Sequence, residues 1–482
     1  MVRALAIDVG SSSLRTALVD DSGQVRHVHQ RPLRVASPQP GEVELDAAEI
    51  AATALQLSRM TLEDGGGCDC VGITNQRATT VVFDPRSATP VGPALSWQDL
   101  RTVMDCLTLQ SQGLSLAPNQ SATKIKWLLE QSGRSAADLR FATLETWLAW
   151  HVSEGEVYAT DRSNACVSGL VDTSVSRWDE RTLDQLGIDG VGLPHLVDTI
   201  GAVGVARALP GSPRLTALVG DQPASLFGQS CGTSQAKITL GTGGILDVIH
   251  PASAPTSLGR HDSGCYPMVM RSQNGEITWG VEGIVFSAGS CVKWLADLGI
   301  ISDVAASDEL AASVDSSEGV DFVPAFAGLG TPWWDFGARG GFFGLSRGSS
   351  SAHLARAVLE GVAQRGADLI DAAEIELGAR LTEIRLDGGM SANRFLVQRL
   401  ADYCGHVVAV SSEREATTRG AGLMALVGAG HLSVTDVESL WSPGFVAHPA
   451  EDEAARDASR SRWLETISRA ARTIPELSAV SF

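Results

Sequence analysis

The residues best suited to chemistry sit in three glycine-rich turns: Asp8-Val-Gly10-Ser-Ser12-Ser, Leu240-Gly-Thr242-Gly-Gly244 and Asp387-Gly388-Gly389-Met. A turn of this kind after a strand can point several backbone N–H groups at a phosphate. The hydroxyls of Ser12 and Thr242 would add side-chain donors. Asp8, at a strand end, suits a hydrated Mg2+ held against phosphates. Taken singly, each turn fits an ordinary hairpin or strand-to-helix turn equally well. Asp221 lies in VGDQPASLFG, where a strand meets a helix. It is either a helix N-cap or a general base toward a substrate hydroxyl. An Asp with an ordinary pKa of about 3.9 is ionised at neutral pH and can accept that proton.

Other signatures are missing or weak. There is no G-x-x-x-x-G-K-[ST], so the chain is not a P-loop enzyme. Gly420-Ala-Gly422-Leu-Met-Ala425 fits the loose dinucleotide pattern, but TTR precedes it where a strand is needed. A tightly packed helix is the better reading. Cys68-Asp69-Cys70 reads as reduced thiols at a strand start. No C-x-x-C, H-E-x-x-H or EF-hand loop occurs.

The elements that must position these residues follow from apolar patterning. Residues 4–10 and 14–19 read as a hairpin, and 71–74 and 79–83 as two strands around NQRA. Residues 121–130 start with a Ser and continue at helical spacing. Residues 215–228 read strand, sharp turn, helix, and 236–249 repeat the hairpin layout of 4–19. A helix is expected over 351–372, then strand, Gly turn, helix and strand over 384–410. The echo predicts a duplicated domain. Its boundary falls near 230–235.

Composition bounds the function. The 482 residues fit two large or three average domains of about 150 residues each. A net charge of −19 argues against a nucleic-acid groove or an anionic membrane surface. At 44% hydrophobic and 19% charged residues the chain is globular. No run of about 18 apolar residues occurs, and the apolar stretch near the start is too short for a signal-peptide core. A cytoplasmic location is the expectation.

The order of the blocks carries more weight than any one of them. DVGSSSLRTALVD (8–20), VGITNQRATTVVFD (71–84), SWQDLRT (96–102), SATKIKW (121–127) and TDRSNA (160–165) come first. GDQPASLFGQ (220–229), KITLGTGGIL (237–246), EGIVFSAGSCVKWL (282–295), VPAFAGLGTPWWDFGARGGFFGLSRG (323–348) and LDGGMSANRFL (386–396) follow. In this order they resemble the FGGY carbohydrate kinases, most of all the glycerol kinase branch, from end to end.

The resemblance implies an α/β fold of two actin-like, ribonuclease H-like ATPase domains with a cleft between them. Residues 1–232 would form the sugar or polyol side and 233–482 the nucleotide side. It implies transfer of the γ-phosphate of ATP to a hydroxyl of a polyol or sugar, with Mg2+. Asp8, Ser12, Ser13 and Arg15 would face the metal and the terminal phosphates, with Asp8 reaching Mg2+ through water. Thr242 and Gly243 would hold phosphate from the other side. Gly289, Lys293, Gly389 and Asn393 would border the α-phosphate and the nucleoside. Asp221 would be the base, and Gln222, Arg77 and Trp97 would bind the acceptor. Trp97 could instead be core, and Arg77 part of a structural ion pair. Trp333 and Trp334 read as packing near the cleft. A homodimer is left open.

The departures from glycerol kinases cluster on the acceptor side. Ala78 follows the NQR arginine where they have Glu. Asn119 replaces a Tyr and Ile245 a Phe. Loss of a charged hydrogen-bond partner costs about 1.5–3 kcal/mol. A substrate larger than glycerol, such as a tetritol, pentitol or ketopentose, is therefore expected. Lys293 stands where they have Gln, which puts the usual purine-side contact in doubt. Two other classes compete: a catalytically weak relative acting as a nucleotide-dependent binding or regulatory protein, and a chaperone-like ATPase. NQR and WQDLR argue against the latter.

Overall fold

The computed structural model describes residues 2–251, 254–480 and 482. Thirteen strands form its main sheet: β1 (Arg3–Val9), β2 (Ser13–Asp20), β3 (Val25–Pro32), β4 (Cys70–Asn75), β5 (Ile200–Val205), β6 (Arg214–Gly220), β7 (Gln235–Leu240), β8 (Gly244–Ile249), β9 (Tyr266–Gln273), β10 (Glu276–Val285), β11 (Glu383–Asp387), β12 (Val407–Ser411) and β13 (Pro443–Ala447). The helices that matter here are α1 (Ala47–Gly65), α2 (Ala122–Ser132), α3 (Leu144–Val152), α4 (Arg162–Cys166), α5 (Asp221–Gly228), α6 (Gly289–Asp297), α7 (Ser351–Leu377), α8 (Arg394–Cys404) and α9 (Ala416–Gly428).

The sheet contains one motif twice. In the first half the strand order is β3-β2-β1-β4-β6, and in the second it is β10-β8-β7-β11-β12. In both, an antiparallel triplet is extended by two parallel strands. This is the duplicated ribonuclease H-type core. The halves meet where β5 and β9 pair at Ile200 and Gln273. Thr199 and Ser272 lock that seam through hydroxyl and backbone hydrogen bonds.

Residue size decides which layer covers each face. Along β1 the large Leu5, Ile7 and Val9 pack with α1 and α3, while Ala4 and Ala6 pack under α9. The alternation follows from the period of two along a strand. Small residues on the second face let α9 come close: a Cβ at Gly72 would lie 2.3 Å from the Ala421 carbonyl oxygen. α9 comes from the second half of the sequence yet completes the core of the first sheet. It also crosses α5 with backbones in contact. A Cβ at Gly420 would lie 1.7 Å from the Ala224 oxygen, and one at Gly228 1.9 Å from that of Ala416. Gly420 therefore serves close helix packing, as its context suggested.

Local signals set the helix limits. Asp46 caps α1 through the amides of Ala48 and Glu49, and Gly66 ends it at a φ of 75°. Ser350 and His353 form a capping box on α7. Both strands expected around NQRA form, but in different sheets: the segment after NQRA does not rejoin the main sheet. Ala78 adopts a φ of 58° and turns the chain outward. Residues Val81–Asp84 pair instead with Arg140–Ala142 and Thr89–Pro90 in a separate sheet. All eight cysteines are free. Among the described residues no helix is long and apolar enough to cross a membrane.

Candidate active site

Parallel pairing brings three charged groups to one sheet end. Asp8 on β1 stands beside Thr74 on β4, and Asn75 stands beside Gly220 on β6. Arg77, two residues after Asn75, and Asp221, directly after Gly220, therefore emerge near Asp8 at the carboxyl ends of the strands, where ligands of open α/β sheets bind. Asp221 is not an N-cap. Gly220 holds that position, and Asp221 is the first residue of α5. Its Oδ1 accepts from the Gln222 amide at 2.9 Å and lies 3.4 Å from Arg77 Nε. Burial raises its pKa, and the Arg77 charge opposes that rise. The fold thus leaves an ionisable carboxylate at the sheet edge with a cation at its side.

Asp8 accepts from the Thr418 hydroxyl at 2.7 Å, across from α9. Burial pushes it up to about 6. Thr418 and Arg15 pull it down, and the Asp221 and Glu415 carboxylates add to the rise. Arg15, its cross-strand neighbour, stands 4.0 Å away. The Arg15 guanidinium is held by Glu415 and by Gln30 Oε1 at 3.1 Å. Ser12 is exposed and Ser13 half-buried. Gly10 N–H closes the turn onto the Ser13 oxygen at 3.0 Å.

The expected acceptor residues share one scaffold. Trp97 is 38% exposed, so it is not core. Its Nε1 donates to Ser11 Oγ at 3.2 Å, over the Gly10–Ser13 turn. Lys124 on α2 is fully buried and donates to the carbonyls of Ser96 at 2.7 Å and Asn119 at 3.4 Å. Burial pushes this ammonium down to about 7. Ser121, at the start of α2, donates to the Ala78 carbonyl at 3.3 Å. The SATK segment therefore holds the backbone at Ala78, next to Trp97 and at Asn119. Asn119 itself is exposed, and Ile245 is half-buried on β8. Arg77 is 10% exposed and donates from Nη2 to Glu282 at 2.5 Å.

The second half contributes backbone more than charge. Gly243 is required because a Cβ there would lie 2.6 Å from the Val285 oxygen. Thr242 is exposed at the tip of the β7–β8 turn. α6 docks on this turn: the amides of Ala288, Gly289 and Ser290 donate to the carbonyls of Thr242, Gly241 and Thr242. Gly289 thus holds the loop with its N–H. Gly388, at a φ of 86°, abuts Leu240, and Gly389 is open to solvent. Asn393 is 9% exposed and fully engaged: Oδ1 caps α8 at Leu396 and Nδ2 donates to Ser307. Lys293 is exposed and ion-paired with Asp297 at 2.7 Å.

Sequence reasoning missed Thr418, Glu415, Glu282, Asp247 and Lys237. The last three had a signal: each is a charge with apolar residues or glycine on both sides within a strand.

Comparison with known proteins identifies the family and the fold. Residues 3–209 match the N-terminal domain of the FGGY family of carbohydrate kinases, and 236–429 match its C-terminal domain. A glycerol kinase of Aromatoleum aromaticum is 38% identical over 97% of this chain and 98% of its own. One of Deinococcus radiodurans is 35% identical over 97% of each. The crystal structure of Plasmodium falciparum glycerol kinase with ADP superposes with a TM-score of 0.89 at 25% identity, covering 100% of this chain and 99% of that one. A xylulose kinase of Lactobacillus acidophilus shares the fold, with a TM-score of 0.87 at 16% identity over 99% of this chain and 100% of its own. The chain belongs to the FGGY family of carbohydrate kinases, and is a phosphotransferase that uses an alcohol group as acceptor.

Proposed function

We propose that the protein transfers the γ-phosphate of ATP to a hydroxyl of a polyol or sugar larger than glycerol, with Asp221 as general base. The observation that carries this reading is the placement of Asp221 at a strand end beside Arg77, with Asp8 two strands away at the same end of the same sheet. A base whose pKa is raised from the ordinary carboxylate value by burial is the stronger proton acceptor. Residues 1–232 form the acceptor side and 233–482 the nucleotide side.

Asp8 fits a divalent cation. It is a buried carboxylate whose nearest cation, Arg15, is committed to Glu415. Mg2+ there would neutralise the phosphates. Asp8 would reach it through water, Arg15 would turn to the terminal phosphates, and Thr242 would face them from the other side. Gln222, Arg77 and Trp97 would hold the acceptor. Base, arginine and metal-side acid stand together, which favours catalysis over a binding-only role.

The larger acceptor is inferred from the residues at 78, 119 and 245. Ala78 offers a methyl group, Asn119 is open to solvent, and Ile245 has no aromatic ring. The test is ADP release with glycerol, erythritol, threitol, xylitol, arabitol, ribulose and xylulose. A tetritol, pentitol or ketopentose should give the highest kcat/KM. If glycerol does, the larger-acceptor reading is wrong.

A further inference from the structure

Lys237 on β7, Asp247 on β8 and Glu282 on β10 stand directly opposite one another in register. They form a lateral row of charge across three strands. All are buried, with Lys237 and Asp247 at 0% exposure and Glu282 at 5%. The strand neighbours Ile238, Leu246, Val248 and Val281 are apolar and buried, so the sheet packs apolar residues readily here. A buried ion row is a poor way to stabilise such a sheet. Its contacts point elsewhere.

Both ends of the row reach across to the first half of the chain. Lys237 Nζ forms an ion pair with Asp247 Oδ2 at 2.6 Å and donates to Thr239 Oγ1 at 3.0 Å and Gln222 Oε1 at 2.7 Å. Glu282 Oε2 takes Arg77 Nη2 at 2.5 Å. Gln222 and Arg77 are the two residues that flank Asp221. Arg77 lies between two carboxylates, and Glu282 draws its outer nitrogen away. Asp221 is left with Nε alone, at 3.4 Å. Without Glu282 the guanidinium could form a two-point ion pair with Asp221 and occupy both oxygens of the base.

We propose that Lys237, Asp247 and Glu282 are positioning residues that hold Gln222 and Arg77 apart around Asp221, so that the second half's sheet sets the acceptor geometry of the first. This rests on the reading of Asp221 as base and of Arg77 and Gln222 as acceptor-facing.

The decisive variant replaces charge with hydrocarbon. Lys237→Met with Asp247→Leu removes both partners together, which buried ion pairs often tolerate without loss of stability. Glycerol is the acceptor probe. The double variant should melt at or above the wild-type temperature. Its glycerol KM should rise about 10-fold or more, the scale for a lost charged hydrogen bond, with the ATP KM within about twofold. In a Gln222→Ala background the same pair of changes should have no further effect. Glu282→Gln should lower kcat about 100-fold, the scale of a misplacement of about 1 Å, and do nothing more in an Arg77→Ala background. Wild-type glycerol kinetics in the double variant, additive losses in either background, or equal rises in both KM values would overturn the proposal. Asp221→Asn run in parallel separates the two readings. If it keeps turnover, the base assignment fails, while coupling of the row to Gln222 and Arg77 is judged on its own cycles.

Discussion

The two halves place the same residue pair at the same point of the same motif, with the strands exchanged. In the first half the acid is on the hairpin strand, as Asp8, and its parallel neighbour is Thr74. In the second the hairpin strand carries Thr239, and the acid is Asp387 on the neighbour. Each acid is bonded by a helix from the opposite half. Thr418 of α9 donates to Asp8, and Ser225 and Gln229, in and just beyond α5, donate to Asp387 at 2.9 Å each. Because α5 and α9 cross backbone to backbone, these bonds tie both sheets to one joint. The acids then diverge. Burial pushes Asp8 up to about 6 beside two further carboxylates, a state suited to receiving a cation. Asp387 is bonded twice on one oxygen and serves the joint. The motif occurs twice and supplies two equivalent positions, and in the proposed function only the one at Asp8 has a chemical role.

Substituting both acids should break the symmetry. Asp8→Asn should lower kcat/KM about 100-fold or more, the scale for a lost charge-stabilising contact in phosphoryl transfer. Asp387→Asn should leave turnover within about tenfold and lower stability by about 1–3 kcal/mol, the penalty of disturbing buried hydrogen bonds. Stability sharpens the contrast. Asp8 has a folded-state pKa near 6, above the ordinary 3.8, so the folded state binds more protons between those values. Its burial therefore destabilises the fold progressively as pH rises from about 4 to 6. Asp8→Asn should raise the melting temperature at pH 8 relative to wild type and leave it little changed at pH 4. Melting curves at both pH values check this, and an equal shift at both would break the comparison.

A smaller effect is expected behind the acceptor side. Lys124→Met should raise the acceptor KM about 10-fold with the ATP KM unchanged, because the lost contacts support only the Ser96–Trp97 and Asn119 backbones. Equal changes in both KM values would mean that α2 supports the whole fold.

The parts legible in the sequence were those set by local chemistry. The hairpins around Gly10 and Gly241, the strand-to-helix corner at Asp221 and the close-packed Gly420 all announce themselves within a few residues. What depends on register between distant strands was not legible. Lys237, Asp247 and Glu282 become one row only when β7, β8 and β10 align. Thr418 meets Asp8 across 410 residues of chain. The outward turn at Ala78 was hidden because a left-handed φ is rare for alanine and leaves no compositional mark. Gly289 and Asn393 carry the right residue types, but their hydrogen-bonding groups are taken up by the loop tip and by a helix cap.

The central claim is that Asp221 takes the proton from the acceptor hydroxyl. The direct measurement is ADP release by Asp221→Asn with saturating acceptor, beside ATP binding by calorimetry. Turnover should fall by about 10²–10⁴, the range for loss of a general base, while the ATP dissociation constant stays within about twofold of wild type. Turnover equal to wild type would contradict the account.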